Sequence, residues 1–144
     1  MRLDWDRGPG LDVADHAQLD RALDALLAGP AAARPLIAYL AGGDGALGLG
    51  LDPAGSGLLL FAPADRSCPA LHSAGQPPGP GDGDVVFAVC GRPRRFSGHC
   101  RVPAPTVRAA AREYLATGEL PDCVAWEPEP GPPHDRARPP WAAA

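Results

Sequence analysis

Three glycines have the spacing of a loop that cradles the phosphates of a dinucleotide. Gly43, Gly45 and Gly48 follow an apolar run in LIAYLAGGDGALGLG (residues 36–50) at G-x-G-x-x-G intervals. In such a loop a helix must follow, because the pyrophosphate binds at the N-terminus of that helix. Here leucines alternate with glycines over residues 47–51, which is the two-residue period of a strand. The stretch therefore predicts a β-hairpin with its turn at Asp44-Gly45, and no nucleotide site.

Thiols and imidazoles are the next candidates for chemistry. The four cysteines, Cys68, Cys90, Cys100 and Cys123, form no C-x-x-C pair, and free cysteines are among the most buried residues. A metal site formed by Cys90, Cys100 and His99 is conceivable, but it lacks the closely spaced ligand pairs of a zinc motif. His99 and Cys100 would also point to opposite faces of a strand. We expect buried free thiols and no metal ion.

Established catalytic motifs are absent from the sequence. None of the four histidines begins H-x-E or H-E-x-x-H, and the sequence has neither G-x-S-x-G nor a Walker loop. Asp82 and Asp84 flank a glycine but lack the other ligands of a calcium loop, so a solvated turn is expected there. We predict no catalytic residue, no cofactor and no enzyme activity. A site assembled in space around Cys100 or Cys90 is the enzymatic alternative.

Length and charge restrict the class of protein. The chain of 144 residues has the length of one domain, and its net charge of −4 argues against a nucleic-acid partner. No apolar run approaches the roughly 18 residues of a membrane-spanning helix, and the N-terminus lacks the apolar core of a signal peptide. We expect a cytoplasmic monomer with no membrane partner. It should have a single domain over residues 1–128 and a flexible proline-rich tail over residues 129–144.

Hydrophobic periodicity predicts the elements that position these residues. Apolar side chains recur at helical spacing over residues 15–28 and 106–116. Strand patterns occupy residues 35–41, 46–51, 57–62, 85–90 and 123–126, with a weaker one over 94–102. This order predicts an α+β fold, with a mostly antiparallel sheet of about five to seven strands and two helices packed on one face. The predicted core includes Leu23, Leu26, Leu60, Val86, Tyr114, Leu115, Val124 and Trp126.

The stretch 85–126 has a recognisable pattern. It reads VVFAVCGRPRRFSGHCRVPAPTVRAAAREYLATGELPDCVAW, in which a strand, a turn and a strand lead into a proline-flanked helix. The helix ends in A-x-E-Y-L-A-T-G-E-L-P, and V-x-W with an acidic residue follows. This pattern resembles the immunity proteins of bacterial polymorphic toxin systems, specifically the family numbered first in that classification. The glycine-rich meander of residues 36–61 is compatible with the middle of that family.

The resemblance implies a non-enzymatic immunity protein that binds a cognate toxin domain and neutralises it by occlusion. Many such toxins are nucleases or nucleic-acid deaminases, whose basic clefts would attract an acidic surface. Function should therefore depend on surface loops rather than on the core that defines the family. A small enzyme with a Cys/His site and a housekeeping protein-binding scaffold are the alternatives. The candidate contact residues are Asp44, Asp52, Asp82, Asp84, Glu119 and Asp122.

Overall fold

The computed structural model describes residues 1–6, 10–75 and 83–129. The helices are α1 (His16–Ala28), α2 (Pro30–Ala33) and α3 (Ala104–Thr117), and a 3-10 turn spans Gly98–Cys100. The strands are β1 (Arg2–Asp4), β2 (Leu11–Asp12), β3 (Leu36–Gly42), β4 (Gly45–Leu51), β5 (Ser56–Gly57), β6 (Leu59–Pro63), β7 (Leu71–Ala74), β8 (Val85–Val89), β9 (Arg92–Phe96), β10 (Val102–Pro103) and β11 (Ala125–Pro128).

One large sheet organises the described residues. Seven strands follow the order β11-β7-β6-β4-β3-β1-β2, and the β8–β9 hairpin joins at β3. Each neighbouring pair is antiparallel except β3 and β8, which meet in parallel at Leu36 and Ala88. The short strands β5 and β10 form a separate pair. The α+β class and the mostly antiparallel sheet are as predicted, but this sheet has nine strands because short strands at 2–4, 11–12 and 71–74 add to it.

Local signals fix the two long helices close to their predicted bounds. The carboxylate of Asp15 accepts a hydrogen bond from the backbone N–H of Gln18 at 2.8 Å, and the Gln18 side chain accepts one from Ala14 at 2.8 Å. This reciprocal cap starts α1. At the end of α3, Gly118 adopts a left-handed φ of 70° and its N–H donates to the Tyr114 carbonyl. Glycine suits this position because it lacks a Cβ.

The sheet buries both of its faces. Side chains alternate along β3, so that Leu36, Ala38 and Leu40 face one core while Ile37 and Tyr39 face the other. The first core lies under α1 and α3, which supply their buried stripes to it. The second core is smaller and is closed by the β8–β9 hairpin and the 3-10 turn. The members of the second core are Ile37, Tyr39, Leu58, Leu60, Phe87, Phe96 and Cys100.

The glycines of the opening motif build a hairpin, as predicted. Gly42 pairs with Gly45, so the two-residue loop is Gly43-Asp44, one residue earlier than the predicted turn. Gly43 has a φ of 63°, which favours glycine. Along β4, Gly48 faces the second core, where an added Cβ would lie 2.9 Å from a ring carbon of Tyr39. A glycine at this position therefore allows side chains of the second core to pack closely against the backbone of β4.

Two expectations about burial are wrong. The strand pattern predicts a core position for Val86, but this residue is 47% exposed. The reason is strand alternation, because its neighbour Phe87 takes the inward position on β8. The thiols were expected to be buried, and only Cys100 is; the other three, Cys68, Cys90 and Cys123, are exposed.

The remaining predicted core residues are buried or partly buried. Leu23, Leu26 and Tyr114 are buried in the first core, and Leu60 is buried in the second. Three others, Leu115, Val124 and Trp126, are partly buried against the first core.

Glu129, the last residue of the final described range, packs on the fold, although the sequence predicts it in the flexible tail. It is buried, its N–H donates to Ala70, and its carboxylate pairs with Arg94 at 2.7 Å. The rest of the predicted tail, residues 130–144, lies outside the described residues. No helix in the described ranges is long and apolar enough to cross a membrane.

Candidate functional site

Five acidic residues lie on segments that meet at one end of the sheet. The hairpin loop before β4 contacts the end of α3, where the N–H of Asp44 donates to the Gly118 carbonyl at 2.8 Å. The loop after β6 joins them, because the Ala64 N–H donates to the Asp44 carbonyl at 2.9 Å. These contacts gather acids from three separate segments. We call this surface the acidic end; its carboxylates are Asp44, Asp65, Glu113, Glu119 and Asp122.

Buried contacts hold the acidic end in place. The phenol of Tyr114 is fully buried and donates to the Gly42 carbonyl, which ties α3 to the β3–β4 hairpin. Phe61 packs edge-on against the Tyr114 ring and against Trp126, with centroid distances of 6.0 and 6.5 Å. The indole N–H of Trp126 donates to the Pro121 carbonyl at 2.8 Å. The β3–β4 hairpin and the segment after α3 are thus both held to the core.

The acids of this surface have no arginine partner in the part of the chain that the structure describes. Within the described residues, no ion pair involves any of the five carboxylates, whereas other acids are paired. Asp44, Asp65, Glu119 and Asp122 are exposed, and Glu113 is partly buried and accepts the Asp122 N–H. This local hydrogen bond does not neutralise the negative charge of the Glu113 carboxylate. One arginine, Arg66, lies in the same loop as Asp65.

The predicted contact residues separate into groups. Asp44, Glu119 and Asp122 lie together on the acidic end. Asp52 lies at the opposite end of β4, where its carboxylate caps a turn by accepting the Ala54 N–H at 2.9 Å. Asp84 is exposed just before β8, and Asp82 lies outside the described residues.

Two members of the acidic end were not predicted. Asp65 lies in the patternless stretch after β6, and Glu113 lies on α3, where a lone acid reads as an ordinary solvated position. The T-G-E-L-P motif could have drawn attention to Glu113, because a chain that reverses after a helix returns its next residues toward the last turn. The N–H of Asp122 donates to the Glu113 carboxylate through this reversal.

A second polar cluster lies elsewhere in the fold. It brings together His72 from β7, His99 and Cys100 from the 3-10 turn, and Glu127 from β11; we call it the His–Cys cluster. The Cys100 Sγ is 3.2 Å from the His72 Nδ1, and the His99 Nε2 is 2.9 Å from the Glu127 carboxylate. His99 and Cys100 were expected to diverge on a strand. They converge because the backbone there turns as a 3-10 helix.

Buried Ser73 positions the His–Cys cluster. Its hydroxyl donates to the Cys100 carbonyl at 2.7 Å and accepts the Leu59 N–H at 3.0 Å. This hydroxyl therefore joins the 3-10 turn to the sheet. Burial raises the pKa of the Cys100 thiol to about 11, and the nearby carboxylates of Glu127 and Glu129 act in the same direction. The thiol is therefore neutral at pH 7, whereas a cysteine nucleophile acts as the thiolate.

Comparison with known families identifies the family of this chain. The model of the Imm1 immunity protein family matches residues 7–128. The chain belongs to the Imm1 immunity protein family. This match confirms the resemblance found in residues 85–126 and extends it over the first helix and the glycine-rich hairpin. Comparison with curated proteins found no match. Membership indicates a toxin-neutralising immunity function.

Proposed function

We propose that this immunity protein neutralises a cognate bacterial toxin domain by occlusion, with the acidic end as the binding surface. The grouping of five acids on joined segments, with no ion pair to any of them among the described residues, carries the proposal. Exposed carboxylates present negative charge to a docking partner. A partner that supplies arginine or lysine side chains there gains complementary charge.

The chemistry of the partner follows from this charge. A domain that binds nucleic acid, such as a nuclease or a nucleic-acid deaminase, needs a basic cleft for phosphates. The acidic end would enter or cover such a cleft and mimic the charge of the substrate backbone. Neutralisation then needs no reaction by the immunity protein. The neutral thiol of Cys100 agrees with a non-enzymatic mechanism.

Rigidity favours binding without refolding. The loops of the acidic end are joined by backbone hydrogen bonds of 2.8 and 2.9 Å and by the buried Tyr114. A preformed surface loses little conformational entropy on association, so more of the interaction energy appears as affinity.

Matched charge reversals test the surface. We expect the double variant Glu119→Arg, Asp122→Arg to weaken affinity for the toxin domain encoded beside this protein by at least ~30-fold, because reversed charges meet the basic partner. The matched control is Asp84→Arg, an exposed acid away from the surface, which should change affinity by less than about 2-fold. Calorimetry gives the affinities, and circular dichroism verifies folding.

The salt dependence adds an independent readout. Association of the unaltered protein should slow as ionic strength rises, since steering between opposite charges is screened. The double variant should have a weaker dependence. If both variants bind as tightly as the unaltered protein, the acidic end is not the interface.

A further inference from the structure

The His–Cys cluster presents metal-binding atoms at short range. One donor atom from each of His72, His99 and Cys100 lies within 4.8 Å of the other two. His72 and Cys100 are buried and His99 is partly exposed, so the cluster is sheltered but open on one side. The cluster shares no residue with the acidic end, and toxin binding as proposed does not use it.

We propose that His72, His99 and Cys100 bind a zinc ion, with the Glu127 carboxylate as the fourth ligand. Two imidazole nitrogens, one thiolate sulfur and one carboxylate oxygen are ligand types that Zn²⁺ accepts in a tetrahedral arrangement. The sequence predicted no metal ion because it lacks paired ligands. The fold supplies His72 and Glu127 from strands that are distant in sequence from the turn.

The partners of the imidazole Nδ1 atoms permit metal binding through Nε2. The Nδ1 of His72 is 3.1 Å from the Ser73 carbonyl, and the Nδ1 of His99 is 2.7 Å from the Ser97 hydroxyl. When each Nδ1–H donates to these oxygens, both Nε2 atoms carry lone pairs. Such outer partners orient the histidine ligands of metal sites.

The Glu127 carboxylate lies beside both Nε2 atoms. Its Oε2 lies 3.9 Å from the His72 Nε2 and 2.9 Å from the His99 Nε2. In the metal-free protein the His99 Nε2–H can donate to this carboxylate while the Ser97 hydroxyl donates to the His99 Nδ1, so zinc would take the place of that proton. No described residue donates a hydrogen bond to the His72 Nε2. A cation between the nitrogens and the carboxylate would satisfy all three groups.

The spacing is close to that of a zinc site. With Zn–N of about 2.0 Å and Zn–S of about 2.3 Å, neighbouring ligand atoms in a tetrahedron are roughly 3.3–3.6 Å apart. The ligand atoms of His72, His99 and Cys100 now lie within 4.8 Å of one another. They therefore need shifts of about 1 Å to reach this spacing. The Glu127 side chain is about half exposed, so it can change rotamer to complete the site. Zinc would also join the 3-10 turn to the two strands β7 and β11, which pair at the edge of the sheet.

Zinc titration of the reduced, chelator-treated protein tests the proposal. We expect one equivalent to bind and to raise the melting temperature, because the metal binds the folded state. Cobalt(II) should bind with a thiolate-to-metal charge-transfer band. Cys100→Ser should abolish that band, and His99→Gln should weaken zinc binding beyond the roughly 10–100-fold typical of changes to outer partners. His99 is partly exposed, so this variant stays informative if Cys100→Ser fails to fold.

The matched control removes the other three thiols. The triple variant Cys68→Ser, Cys90→Ser, Cys123→Ser should bind zinc within about 3-fold of the unaltered protein and retain the cobalt band, since none of the three reaches the cluster. Absence of saturable zinc binding would overturn the proposal. Zinc binding that survives Cys100→Ser and His99→Gln in folded proteins would also overturn it.

Discussion

At the scale of single residues, close packing explains positions that sequence patterns leave ambiguous. The hairpin glycines match a phosphate-binding spacing, yet their role is steric. A Cβ on Gly48 would lie 2.9 Å from the Tyr39 ring and 3.0 Å from the Leu60 Cβ, where ordinary contacts begin near 3.4 Å. The alternating leucines predict the strand. The need for glycine at position 48 depends on the Tyr39 and Leu60 side chains that pack against it.

Replacing Gly48 tests this packing. Gly48→Ala should lower the free energy of unfolding by about 1–3 kcal/mol, because the added methyl group must displace side chains in a filled core. The control Gly83→Ala should change it by less than about 0.5 kcal/mol, since no atom of the described residues lies within 4 Å of the added Cβ. Urea denaturation measures both. Equal stability of the two variants would contradict the steric role.

Cys90 is the described non-glycine residue with a positive φ. It precedes Gly91 in the β8–β9 turn, with φ values of 51° and 80°. Two positive φ angles define a type I′ hairpin, for which Asn-Gly is preferred. We expect Cys90→Asn to raise the free energy of unfolding by about 0.5–1 kcal/mol, since asparagine tolerates this conformation better.

A second exposed thiol supplies the comparison for Cys90. Cys123→Asn should have little effect, because Cys123 lies outside the set of residues with positive φ. Differential scanning calorimetry compares the two variants. A loss of stability in Cys90→Asn would show that the thiol contributes more than its backbone conformation costs.

At the scale of elements, an ion cluster joins the two long helices on the helical face of the sheet. Arg112 on α3 pairs with Asp20 on α1 at 2.9 Å, and Arg108 pairs with both Asp20 and Asp24. Burial alone would raise the pKa of Asp20, but the hydrogen bonds and charges of the two arginines outweigh it and lower the pKa. The cluster therefore stabilises the folded state while Asp20 is ionised.

The pH dependence of this pairing has a definite sign. An aspartate in the unfolded chain has a pKa of about 3.9, so a lower folded value gives stabilisation that is complete above that pH and is lost as pH falls below it. Asp20→Asn should cost about 1 kcal/mol at pH 7, and its difference from the unaltered protein should shrink toward pH 3. Urea midpoints across this range measure it. An exposed-acid control, Asp84→Asn, should have no such difference at either pH.

The elements were largely predictable and their junctions were not. Periodicity located α1, α3 and the central strands, because a buried stripe or an alternating face leaves a local pattern. It failed at Val86, which lies on the outward face of β8. It also failed at His99 and Cys100, where a 3-10 turn replaces the assumed strand. The contact between Cys100 and His72 spans 28 residues of sequence, and no local pattern encodes it.

At the scale of the whole molecule, the fold divides its polar chemistry between two places. The acidic end unites loops that are far apart in sequence, and only Asp44, Glu119 and Asp122 of the six predicted contact residues belong to it. Charge and exposure could nominate these acids, but only the contact between the β3–β4 hairpin and Gly118 brings them together. The His–Cys cluster lies apart from them and concerns the integrity of β7, β11 and the turn.

Amide hydrogen exchange of the complex with the cognate toxin domain tests the central claim most directly. We predict slowed exchange in the acidic end, over residues 43–46, 64–66 and 117–123, because occlusion covers these amides. Residues 52–56 and 84–86, beside the predicted contact residues Asp52 and Asp84, should exchange as in the free protein. Protection confined to those segments or to the β8–β9 hairpin, in a complex that neutralises the toxin, would contradict the account.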